Sequence, residues 1–108
     1  MLVRQARDLI EEFNRVVLDD AKELSAPALS EATQALKSLV ERLPQAFEPT
    51  ADVLELLAKN DKVTAERGDV KTEVATTAAE LRTVAAESQQ LGKSLANPAS
   101  ALFPMGGR

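Results

Sequence analysis

Val70, Val74, Thr77, Leu81, Val84, Ser88, Leu91 and Leu95 follow one another at alternating spacings of four and three residues. On an α-helix that spacing draws a single stripe. On a strand it would scatter the same side chains over both faces. The average step of half a heptad is the period of one helix winding against another. Thr77 and Ser88 weaken the stripe, so this segment needs a partner helix to be stable.

The rest of the chain repeats the theme. Leu2, Ala6, Leu9, Ile10, Phe13, Val17, Ala21 and Leu24 mark a first helix over about residues 2–24. Its opposite face carries the i,i+4 pairs Arg4–Asp8, Arg7–Glu11 and Glu11–Arg15. No Ser, Thr, Asp or Asn precedes it as a cap. Ser25-Ala26-Pro27 then reads as a restart, with a capping hydroxyl and a proline in the first turn. Leu29, Ala32, Leu36, Leu39 and Leu43 give a second helix over 26–43, which Pro44 stops. Residues 44–49 read as a connector holding Phe47 as a plug against the bundle end. Thr50 reads as the cap of a short third helix, 51–60, with Asp52 at its dipole's positive end. Residues 61–69 read as a polar loop or a weak stretch of continuing helix, and the fourth helix covers 69–95. From Asn97 to Arg108 two prolines and two terminal glycines predict an extended tail, anchored by Leu102 and Phe103. The expected architecture is all-α: amphipathic helices over 1–96 packed as a slender bundle or coiled coil, then the tail, 97–108.

Composition narrows the shape and the chemistry. Phe13, Phe47 and Phe103 are the only aromatic residues among 108, so the helices must pack through Leu, Val and Ala rather than around large rings. There is no Cys and no His, which excludes disulfides and zinc sites built on thiolate or imidazole. The usual general base at neutral pH is missing as well. A net charge of −4, with scattered Lys and Arg, does not suit nucleic acid. Charges at Arg4, Arg7 and Asp8 interrupt the N-terminus too early for a signal peptide. No apolar run is long enough for a transmembrane segment.

Motifs that carry chemistry fail on inspection. Gly92-Lys93-Ser94 ends like a phosphate-binding loop, but Glu87 stands where that loop needs its first glycine, and a helix rather than a strand precedes it. Residues 61–73 have the acid content of a calcium loop. Val63 and Ala65 fall at ligand positions, however, Glu66 takes the place of the required glycine, and Gly68 is misplaced. The acids Asp8, Glu11 and Glu12, and Asp19, Asp20 and Glu23, lack the histidines of a di-iron bundle and lie beside Arg4, Arg7, Arg15 and Lys22. No serine has a lysine three residues on. The sequence therefore predicts no catalytic, cofactor-binding or metal-binding residues and no enzyme.

One segment is more specific. Leu91-Gly92-Lys93-Ser94-Leu95-Ala96-Asn97-Pro98-Ala99-Ser100-Ala101-Leu102-Phe103 is an amphipathic helix, an Asn-Pro step, a small-residue turn and a short apolar plug. It resembles the tail of bacterial mammalian-cell-entry (MCE) proteins, the substrate-binding components of lipid-transporting ABC systems. The earlier alternation of heptad helices with proline breaks is similar to that family's helical region. Neither the family's β-barrel domain nor its N-terminal membrane anchor has a counterpart in this sequence. The resemblance implies a periplasmic, oligomeric helical assembly whose inward Leu and Val line an apolar lipid channel.

From the residues alone, the expected function is a non-catalytic helical interaction or assembly module. Leu29, Leu36, Leu39 and Leu43 form one seam, and Val70, Val74, Leu81, Val84, Leu91 and Leu95 the other. The partner is a second copy or another helical protein. The alternatives are the MCE-like assembly, with lipid as ligand, and a small secreted effector or chaperone. The expected chain is soluble, cytoplasmic or, if the resemblance holds, periplasmic.

Overall fold

The computed structural model describes residues 1–19, 24–66 and 68–106. It contains five helices among the described residues: α1 (Leu2–Asp19), α2 (Ala26–Arg42), α3 (Pro44–Lys59), α4 (Val70–Ser94) and α5 (Ala96–Leu102). No strand occurs among those residues, and the fold is all-α.

Two bent rods run antiparallel and make up most of the molecule. The first is α2 followed by α3. They are separated only by Leu43, whose backbone is itself helical (φ −63°, ψ −40°). Pro44 is the first residue of α3, where a missing N–H loses no intrahelical bond. Proline here bends the rod without ending it. The second rod is α4 followed by α5, joined through Leu95, also in helical conformation. Cross-links fix their register. Arg82 reaches back to Asp52 and Glu55, Gly92 lies against Glu41, and the Gln34 Nε2 donates to the Ala99 carbonyl at 3.4 Å. The molecule measures 60 × 26 × 19 Å.

Three local sequence expectations are corrected. The connector expected at 44–49 is the first half of α3, which begins at Pro44 rather than at residue 51. Thr50 is therefore no cap, and its Oγ1 donates to the Ala46 carbonyl at 2.7 Å inside the helix. Pro49 lies inside α3 and has no N–H for the Gln45 carbonyl, a defect of about 3 kcal/mol in an isolated helix. Packing against α4, where Ala51 is fully buried, holds the segment helical. The tail expected to be extended from Asn97 is helical to Leu102, because Pro98 falls in the first turn of α5. Residues 20–23 of the first expected helix lie outside the described residues, and Leu24 is not helical.

The ends of the elements follow from local chemistry. The Ser25 Oγ accepts the Ala28 N–H at 3.2 Å at the start of α2. At the end of α3, Asp61 takes a left-handed conformation (φ 57°). The Asp61 N–H bonds to the Ala58 carbonyl and the Lys62 N–H to the Leu57 carbonyl. These two bonds are a Schellman closure with an aspartate where glycine is usual.

Candidate interaction surfaces

The α3–α4 contact is built from small side chains. Ala51 on α3 and Val74, Ala78 and Ala85 on α4 are buried, with Ser88 and Gly92 continuing the line. This line also steps by four and three, but it is not the one expected from the Leu/Val pattern. It shares Val74, Leu81, Ser88 and Leu95 with the expected stripe. It then takes Ala78, Ala85 and Gly92 in place of Thr77, Val84 and Leu91. Short side chains let two backbones approach closely, and Gly92 shows the limit. A Cβ added there would stand 3.3 Å from the Glu41 Cγ. The glycine of the loop-like Gly92-Lys93-Ser94 thus makes room for α2.

Because the contact is rotated towards the small residues, larger ones are left at its edge. Val84 is 40 % exposed and Leu91 50 %. Helical geometry puts Thr77, Val84 and Leu91 on one flank of the α3–α4 contact, together with Leu57 of α3, while Val53 lies further round on the same side, toward the outward face of α3. Val53 is 51 % exposed and Leu57 38 %. The other expected seam residues fall as follows. Val70, Leu81, Leu95, Leu36 and Leu43 are half-buried, Val74 is buried, and Leu29 and Leu39 are exposed. Leu102 is half-buried against the bundle, whereas Phe103, expected as an anchor, is exposed, since it lies beyond the end of α5.

The opposite flank is polar and was not anticipated. The Arg82 guanidinium donates to Asp52 at 2.9 Å and also bonds Glu55. Those hydrogen bonds, to Glu55 first and then Asp52, raise the Arg82 pKa above its ordinary value. The sequence signal existed, because Asp52 and Glu55 share a helical face, but their partner lies far away in the chain. At the tip of the hairpin, Glu55, Lys59, Asp61, Asp69 and Lys71 edge an open cleft of about 570 Å³. Both charge signs line it, and no cluster of three metal-ligating side chains exists among the described residues.

α1 makes a different kind of surface. No described Cα of α1 approaches another helix within 8 Å. Its Ile10, Phe13 and Val17 are half-buried, while Leu2, Val3, Leu9 and Val16 are exposed. Between α1 and the back of α2 lies a groove of about 410 Å³ lined by Leu9, Ile10, Phe13, Ala32, Leu36 and Leu39, among others. Among the described residues Glu31 is its one charged lining residue.

No described helix is long and apolar enough to cross a membrane. No protein-family model, curated protein or solved structure matches the chain.

Proposed function

We propose that this chain is a non-catalytic helical interaction module that docks a partner helix through the Leu/Val flank of its α3–α4 hairpin. The observation that carries the reading is the position of Val84 and Leu91. They lie on the chain's most regular heptad, yet stand half in solvent beside a contact made of alanine. Two further features support it. No large side chain among the described residues is fully buried, so these helices form little core of their own. Its exposed surface is 8517 Å², against about 5,800 Å² for a compact monomer of this size. That excess reflects the elongated shape, in which the chain covers little of its own surface.

The test is Val84→Glu with Leu91→Glu. If the flank faces outward, the double variant keeps its helicity and its urea midpoint to within about 1 kcal/mol. Collapse of the fold would mean that both residues belong to the chain's own core, and the reading would be wrong.

A second reading is the MCE-like lipid assembly that the Leu91–Phe103 resemblance implies. What favours it is the apolar groove between α1 and α2. Saturable binding of a fluorescent fatty acid that Ala32→Glu abolishes would support it. Absence of saturable binding would remove it.

A further inference from the structure

The charges of the α3–α4 hairpin are sorted by flank. Lys59, Lys71, Arg82 and Lys93 all fall, by helical position, on the side where Arg82 meets Asp52 and Glu55. The apolar side, with Val53, Leu57, Val84 and Leu91, carries no Lys or Arg of either helix. Along its outer edge on α4 run Glu80 and Glu87, one heptad apart and both exposed. Neither makes an ion pair among the described residues, whereas Arg82, on the other flank of the same helix, is doubly paired. This face is therefore apolar and rimmed on α4 by carboxylates alone.

Resting on the interaction-module reading, we infer that the occupant of this flank is an amphipathic helix of another protein, with Leu- or Val-type residues at three–four spacing and Lys or Arg along one edge. Edge charges beside an apolar helical seam select partner and orientation more than they add affinity. A second copy stacked on the same face would bring the same Val and Leu residues. It would also bring Glu80 and Glu87 again and no cation from that face, leaving the rim uncompensated. A basic edge on the incoming helix neutralises it. The apolar stripe fills the shallow trough between α3 and α4, and the basic edge runs along Glu80 and Glu87.

The experiment uses the full chain and two fluorescein-labelled synthetic helices of about three heptads, with leucine at the seam positions. One carries lysine at the edge positions and the other glutamate. Fluorescence anisotropy should show the lysine-edged helix binding at least about tenfold more tightly, by an amount that shrinks as salt rises. Glu80→Lys with Glu87→Lys should invert that preference. Glu11→Lys with Glu48→Lys makes the same change in net charge elsewhere and should leave it intact. Val84→Glu should abolish binding of either helix. Equal binding of the two helices, or a preference that follows net charge regardless of position, overturns the inference while leaving the module reading in place. So does a dimer of the chain alone that Val84→Glu dissolves, which would make a second copy the occupant. Unfolding of the Val84→Glu, Leu91→Glu variant would remove the module reading itself.

Discussion

α1 and α4 are both amphipathic, and they pack in opposite ways. α1 has the broader apolar stripe, with larger side chains (Leu, Ile, Val and Phe), yet it stands off from α2 and leaves a groove. α4 has the weaker stripe, interrupted by Thr77 and Ser88, yet it is the helix around which the structure is built. The difference is the size of the side chains at the contact. Ala78, Ala85 and Gly92 let α3 and α2 come close along α4, where dispersion acts between whole backbones. Facing Ala28, Ala32 and Ala35 of α2, the larger Ile10 and Phe13 set a wider spacing that the groove does not fill. Amphipathicity orients a helix, and steric fit decides how closely it packs.

The comparison is broken most directly at Ala78 and Ala85. Either one changed to Leu should force α3 off α4 and destabilise the chain by about 1–3 kcal/mol, or unfold it, as a urea titration would show. A change below a few tenths of a kcal/mol would mean that the alanine seam does not set the hairpin's stability. Phe13→Ala on α1 should have a smaller effect, well under the roughly 3–5 kcal/mol of a fully buried phenylalanine, because its ring is only half covered. Hydrogen exchange sharpens the same contrast. Amides in the middle of α1 should exchange through local opening, faster than those around Ala78–Ala85, which need the hairpin to open. Uniform protection along both helices would show that α1 is docked as firmly as α4.

Two smaller effects test how the hairpin is closed. Asp61→Gly should stabilise the chain by about 0.5–1 kcal/mol, since the left-handed backbone at the end of α3 suits glycine. Gly92→Ala should change stability least, by less than about 0.5 kcal/mol. The gain in helix propensity is offset by the close approach of the new methyl to the Glu41 Cγ, 3.3 Å away. A larger loss of stability there would show that α2 and α4 tolerate no widening at all. Thermal or urea midpoints read both.

The helical class and the start of α2 were legible because they rest on local signals: the three–four periodicity, and Ser25 followed by Pro27. The candidate surface was legible in part. Val84 and Leu91 were singled out as seam residues from their spacing, and both remain partly exposed at the edge of the hairpin, whereas Val53 and Leu57, exposed on the same side, were not among the expected seam residues. Two prolines misled for one reason. A proline reads as a stop, but Pro44 and Pro98 sit in first turns, where the missing N–H costs nothing.

By itself, the sequence determined that this chain is helical, where its stripes run, and that it lacks histidine and cysteine for the commonest site chemistries. Those properties depend on residue identity and on neighbours a few positions away. Tertiary structure decided which of two overlapping lines on α4 is buried. Val74, Leu81, Ser88 and Leu95 belong to both, and only the approach of α3 and α2 selects Ala78, Ala85 and Gly92 over Thr77, Val84 and Leu91. It also decided that Arg82 faces Asp52 and Glu55, while Glu80 and Glu87 edge the other side. A helix offers its whole circumference to a partner, so the choice of buried line comes from how closely two backbones can approach.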